Sequence, residues 1–177
     1  MHWYALLVKP QHEKSVHRHL SSLGRESFLP LYRTQRRAAG RIRELDLPLF
    51  PGFVFCRFSL HERRALYDVP GVLALVAAGH EAAVIPTEEI EAIRAAIRAG
   101  VPLRPWPYKE QTEKMTVAGG PLRGARGAVI KVRKTRQLVL SVEALRRALI
   151  AGLDAPAGEG TQAPRHFGAH AAQIACG

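Results

Sequence analysis

Leu49-Phe50-Pro51-Gly52-Phe53-Val54-Phe55-Cys56-Arg57-Phe58 is the stretch that decides how the chain is read. Its aromatic and β-branched run is the strongest strand signal in the sequence. Side chains alternate along a strand, so Phe53 and Phe55 share one face, and Val54, Cys56 and Phe58 the other. Pro51 and Gly52 fall at the entry, where a proline without an N–H is tolerated.

Working outward, Trp3 to Val8 reads as a short buried first strand stopped by Lys9-Pro10. From Gln11 to Leu23, Val16, Leu20 and Leu23 recur at helical spacing, and Gly24 ends the helix. Ser27-Phe28-Leu29 is a second short strand. Residues 33–43 carry Arg33, Arg36, Arg37, Arg41 and Arg43 with no apolar period, which predicts a loop or hairpin tip. A short helix over His61–Tyr67, a turn at Pro70-Gly71 and a strand over Val72–Val76 follow. Thr87 is placed to cap a helix with Glu88 and Glu89 in its first turn and Ile90, Ile93 and Ile97 on its apolar face, closed by Gly100. This order predicts an α+β domain over 1–100, an antiparallel sheet with both helices on one side. Pro102, Pro105 and Pro107 predict an extended linker over 101–108. Met115–Val117, Ala128–Val132, Leu138–Val142 and Ala148–Leu153 read as short strands separated by glycine-rich turns, a small all-β barrel over 109–155. The Ala-, Gly- and Pro-rich segment 156–177 is expected to be a disordered tail.

The 177 residues include 26 Lys and Arg against 15 Asp and Glu, a formal charge of +11. The excess is uneven: net +6 over residues 1–60, −2 over 61–100 and +7 over 101–155. Two basic blocks point to a polyanion among the partners. Nothing approaches the roughly 18 apolar residues of a membrane span, no secretory signal is visible, and Cys56 and Cys176 make no disulfide framework. A cytoplasmic monomer is expected.

Leu49-Phe50-Pro51-Gly52-Phe53-Val54-Phe55, with Trp3-Tyr4, Phe28-Leu29-Pro30 and Pro70-Gly71-Val72, resembles the N-terminal domain of the NusG family. Gly120-Pro121-Leu122-Arg123-Gly124-Ala125-Arg126-Gly127, then Leu138–Val142, resembles that family's KOW domain, an SH3-like barrel. Thr112-Glu113 stands where the family usually has Gly-Asp, and Leu122 where it often has Phe. The arginine-rich segment and Leu140-Ser141-Val142-Glu143-Ala144-Leu145-Arg146-Arg147 look more like the specialised paralogues of the RfaH type than the housekeeping protein.

The resemblance implies a transcription elongation and antitermination factor. Its N-terminal domain would ride on the clamp helices of the RNA polymerase β′ subunit, with Tyr4, Leu7, Phe50, Phe53 and Phe55 as candidate apolar contacts. Arg63 and Arg64 would face the β subunit. Lys9, His19, Arg36, Arg37, Arg41 and Arg43 are candidate nucleic-acid contacts, by similarity toward the non-template single-stranded DNA. The KOW domain would recruit a small-subunit ribosomal protein or the termination factor Rho, with Leu122, Val129 and Ile130 as candidate contacts. Gly120, Gly124 and Gly127 are read as turn positions that need glycine's conformational freedom. The RfaH KOW domain is stored as a helical hairpin; here the glycines and the β-branched Val129, Ile130, Val132, Val139 and Val142 favour the β form.

Catalysis has little support. Asp46, Asp68 and Asp154 lie in unrelated segments. His12 and His19 share a helical face with no third metal ligand, and Gly119–Gly124 lacks the Lys-Ser/Thr of a phosphate loop. A non-enzymatic protein without metal or cofactor is expected. The alternative reading is a ribosome-associated RNA-binding protein, since KOW barrels also occur there.

Overall fold

The computed structural model describes residues 1–38, 41–109, 113–133 and 135–153, without the side chains of Arg36 and Ala38. The expected tail over 156–177 lies outside the described residues. Element order is β1 (His2–Val8), α1 (Glu13–Ser22), β2 (Glu26–Phe28), β3 (Leu31–Ala38), β4 (Arg41–Pro48), β5 (Phe53–Phe58), α2 (Arg63–Tyr67), β6 (Val72–Leu75), β7 (Ala77–Ala78), β8 (Glu81–Ala82), α3 (Thr87–Arg98), β9 (Leu103–Trp106), β10 (Met115–Thr116), β11 (Arg126–Val132), β12 (Thr135–Val142) and β13 (Arg147–Gly152). Short 3-10 turns precede α2 and β13. No helix among the described residues is long and apolar enough to cross a membrane.

The first sheet has the order β2-β5-β1-β6 with antiparallel pairing throughout. Its two faces follow the alternation of β5. Val54, Cys56 and Phe58 join Tyr4, Leu6 and Val8 against Val16 and Leu20 of α1. Phe55 joins Trp3 and Ala5 against Ile90 and Ile93 of α3. The two helices therefore cover opposite faces, not one side as the sequence predicted. Val16 and Leu20 of α1 pack on one face, and Ile90 and Ile93 of α3 on the other.

Of the two readings of the arginine-rich segment, loop or hairpin tip, the structure favours the hairpin, with the arginines on its paired strands. β3 and β4 form a two-stranded antiparallel ribbon with Leu31 opposite Pro48 and Ala38 opposite Arg41. Arginine carries no apolar period, so the backbone pairing left no mark that a search for hydrophobic alternation would see.

The second sheet has the order β10-β11-β12-β13-β9. Residues 103–106, expected within a linker, form its edge strand β9, with Leu103 opposite Ala151 and Pro105 opposite Leu149. An edge strand has one side free of ladder bonds, which is where proline is tolerated. Val101 and Leu103 are buried. One face of this sheet, with Leu138, Leu140 and Leu149, belongs to the same buried cluster as α3. The other carries Ala128, Val139 and Ala148 under Trp106, Tyr108 and Ile130.

Helix α3 thus lies against both sheets. Glu89, Ala92 and Ala96, spaced along one side of the helix, are buried beside the second sheet's cluster, and α3 approaches β11 and β12. Two expectations for this helix are corrected. Pro86 occupies the N-cap and Thr87 makes no capping bond. Ile97, expected on the apolar face, is exposed, because the second buried stripe runs through the alanines instead.

Candidate functional site

The open end of the first sheet is built from a cross-strand row. Phe53 on β5 is opposite Leu7 on β1, and Leu7 is opposite Ala74 on β6. Alternation places this row on the same face as Trp3, Ala5 and Phe55. Toward the other end, Phe55 and Ala5 pair, and Ile85 bridges to Trp3. There α3 supplies the cover. At the open end Leu7 is 37% exposed, and Phe53 and Ala74 are half-buried.

A polar anchor holds this end. Glu13, buried at the start of α1, accepts a hydrogen bond from Gly52 N–H at 2.8 Å. The Gly52 carbonyl accepts from Val8 N–H at 2.9 Å, and Phe53 N–H donates to Phe50 O at 3.1 Å. Gly52 has φ +84, a conformation that suits only glycine here. The Pro51-Gly52 turn is thereby tied to both the helix and β1, which sets where Phe53 emerges. No spacing rule links Glu13 to Gly52, so sequence reasoning missed it.

Of the five apolar candidates, Leu7 and Phe53 form the open row. Three are corrected. Tyr4 is buried on the opposite face, its ring 4.7 Å from that of Phe58, and burial raises its phenol pKa. Phe55 is wholly buried. Phe50 is buried edge-on against Phe55, with centroids 5.4 Å apart. They are core residues because the turn folds Phe50 back and alternation sends Tyr4 under α1. Arg63 and Arg64 open α2 and are exposed.

The candidate nucleic-acid residues are not gathered at one point. Lys9 lies just beyond β1 at the open end, its N–H bonded to Gly71 O. His19 is exposed on α1, which covers the opposite face. Arg37, Arg41 and Arg43 are exposed on the ribbon, and Arg36 is at the register position opposite Arg43.

Other titratable groups have structural partners. His17 Nδ1 lies 2.8 Å from Ser27 Oγ, and burial lowers its pKa, favouring the neutral ring. Burial pushes the Cys56 thiol up to about 11, so it packs as an apolar group. Arg94 lies over the rings of Trp3 and Phe28 at 4.9 and 5.0 Å while bonding Glu26 and Glu91. Among the described residues no group of three or more potential metal ligands is gathered.

Where the sheets meet, Glu89 accepts a hydrogen bond from Glu143 N–H at 3.3 Å, and Lys114 Nζ bonds both Glu89, at 3.5 Å, and Glu143. Burial is the largest influence on Glu89 and raises its pKa, against the pull of Lys114. The two carboxylates outweigh desolvation at Lys114 and raise its pKa. Ala92 and Ala96, small residues at i and i+4, were the available signal for this seam.

In the second sheet, Leu122, expected as a partner contact, is a core residue. It lies in the main buried cluster, and Val129 and Ile130 are half-buried. Gly120 and Gly124 have φ +78 and +85, as turn glycines should. Gly127 is needed for a different reason: a Cβ there would meet Val139 O at 2.4 Å.

Few helices flanking antiparallel sheets define a mixed α/β fold of the NusG N-terminal type. The chain belongs to the NusG family of transcription factors: residues 1–94 match the family model described as transcription termination factor nusG. Among solved structures, it is similar to one on domain interaction in Thermotoga maritima NusG. That likeness has 18% identity, covers 85% of this chain and 92% of that chain, and has a TM-score of 0.46. It is also similar to a chain of an MjSpt4:Spt5 complex, at 18% identity over 86% of this chain and 92% of that chain, with a TM-score of 0.31. No curated protein matches the chain.

Proposed function

We propose that this protein is a cytoplasmic transcription elongation factor that acts by binding, without catalysis. Its docking surface is the open row Phe53–Leu7–Ala74, which receives an apolar element of RNA polymerase, the tip of the β′ clamp helices. The carrying observation is that two large apolar side chains, Leu7 and Phe53, remain accessible at one end of a face that α3 buries at the other. Accessible apolar side chains are what a coiled-coil tip needs, because such contacts gain their energy from desolvation. The basic ribbon then lies toward nucleic acid. The second sheet is a KOW-type barrel that recruits a further partner, a small-subunit ribosomal protein or Rho. Its half-buried Val129 and Ile130 and its positive-φ glycines support that reading. The arginine ribbon favours a specialised, RfaH-like antitermination role.

Binding of purified RNA polymerase by the wild-type chain and by Phe53→Asp tests the proposal. The expected outcome is polymerase binding that Phe53→Asp weakens by tenfold or more, with the far-UV spectrum unchanged. Equal binding by a folded variant would overturn it.

A further inference from the structure

The face of the second sheet turned away from α3 has a gap in it, and the strand register shows why. Gln137 is opposite Gly152, and Val139 is opposite Ile150, which is in turn opposite Arg104. Cross-strand partners share a face, and Val139 belongs to the cluster on the side away from α3. Leu103 is opposite Ala151, so Pro102 comes level with Gly152. The row Gln137–Gly152–Pro102 therefore lacks its middle side chain. Gly152 lies in β13 and pairs in the ordinary ladder, so no turn demands a glycine there. Glycine inside a strand often marks a place where a ligand approaches the backbone closely.

The gap is the floor of a cavity of about 210 Å³. Its lining is chemically mixed. Arg104 and Arg136 are exposed and stand at its rim, and no carboxylate lines it. Among the described residues no ion pair reaches either arginine. Ile150 and Pro102 supply apolar surface. Gln137 is held in place by a relay: its Nε2 donates to Thr135 Oγ1 at 3.0 Å, and Thr135 Oγ1 donates to Val132 O at 2.8 Å. The same amide also carries an acceptor oxygen and a second N–H.

We propose that this recess binds a nucleotide, with its phosphates on Arg104 and Arg136, its ring against Pro102 and Ile150, and the ring edge hydrogen-bonded to the Gln137 amide. Guanidinium groups match phosphate oxygens in charge and in geometry. The cavity is smaller than the roughly 300–1,000 Å³ that encloses a drug-sized ligand. It suits a small molecule that stays partly in solvent, because the opening is one missing side chain wide. The site lies on the opposite face from α3 and its chemistry is independent of polymerase docking.

The test uses the full chain and calorimetric titration at low salt with adenosine diphosphate, guanosine diphosphate, inorganic pyrophosphate and a single-stranded 12-nucleotide RNA. The expected result is binding of at least one nucleotide, with pyrophosphate severalfold weaker for want of a ring. Arg104→Gln with Arg136→Gln should weaken nucleotide binding by about tenfold or more, the scale of lost charge-assisted hydrogen bonds. Arg123→Gln with Arg126→Gln removes the same charge from outside the recess and should change it by less than twofold. Gly152→Val keeps both arginines but fills the gap, and should abolish binding with the far-UV spectrum unchanged. If that variant does not fold, Gly152→Ala replaces it, with a smaller loss expected. No nucleotide binding by the wild type, binding of the RNA alone, or pyrophosphate bound as tightly as the nucleotide would overturn the inference. So would equal losses for the two arginine pairs, or full binding by a folded Gly152 variant.

Discussion

At the Trp3 end of the first sheet, Trp3, Ala5 and Phe55 lie beneath α3 and are fully buried; at the Leu7 end of the same face, Leu7 and Phe53 meet solvent. The alternation that sends Phe53 and Phe55 to one side is identical for both. What differs is the cover: Ile90 and Ile93 of α3 share the buried cluster of Trp3, Ala5 and Phe55, while Leu7 lies outside it. The covered end is therefore a stability element and the open end a binding element. The same face also shows how the second sheet is attached: through the far side of α3, by two alanines and a polar cluster.

That contrast can be broken most directly at Phe55. Phe55→Ala should destabilise the chain by about 3–5 kcal/mol, because it removes a ring packed edge-on to Phe50 and leaves a cavity. Denaturant unfolding would measure this, and a loss below about 1 kcal/mol would erase the distinction between the two ends. At the open end, Phe53→Asp should leave unfolding within about 1 kcal/mol of wild type, while polymerase binding falls by about 2 kcal/mol, the scale of an interface hot spot. A change in stability as large as that of Phe55→Ala would make Phe53 core.

The seam with the second sheet is expected to be the next most sensitive place. Ala96→Leu adds three carbons to a fully buried position and should cost about 1–3 kcal/mol by overpacking. If the sheets separate to relieve it, amides of β11 and β12 would exchange faster than those of β1 and β5. Uniform exchange would mean that the two sheets unfold as one unit.

The smallest effect is one of pH. Burial raises the Glu89 pKa above its unfolded value of 4.5. A carboxyl whose pKa is raised on folding binds more protons in the folded state between the two values, so its contribution is fully present below pH 4.5 and is lost as pH rises through the folded value. Wild-type stability should therefore carry a small fall over that window that Glu89→Gln lacks, seen as a difference in thermal midpoint against pH. Parallel profiles would show that Glu89 is not coupled to the seam. Lys114, raised by its two carboxylates, acts at the other end of the scale: its stabilisation persists below about pH 10.5 and declines as pH rises through its folded value.

Much of the fold was legible because it rests on local periodicity. The strand of Phe53–Phe58, the helix carrying Val16 and Leu20, and the turn glycines Gly24 and Gly100 lie where spacing and composition placed them. Of the ribbon only a hairpin tip was legible, as an alternative to a loop, because its strands carry arginines rather than an apolar alternation. Leu103–Trp106 escaped because its proline argued for a linker, while an edge strand accepts one. At the candidate site, Leu7 and Phe53 were legible as apolar strand residues, but so were Tyr4 and Phe55, and alternation has no means of saying which of them a helix covers.

By itself, then, the sequence determined the apolar strands such as β1, β5 and β12, the helices, the two apolar faces of β5 and the sign of the charge on the ribbon. These depend on neighbours within a few residues, through backbone geometry and side-chain spacing. Only the tertiary structure decided that α1 and α3 take opposite faces, that Leu7 is left outside the cluster that α3 buries, that Glu13 pins the Pro51-Gly52 turn, and that one face of the ribbon is free of carboxylates. Each depends on which distant segments meet: Glu13 with Gly52 across 39 positions, Glu89 with Glu143 across 54. Burial and pairing are properties of the packed surface, and no local pattern encodes what will lie across from it.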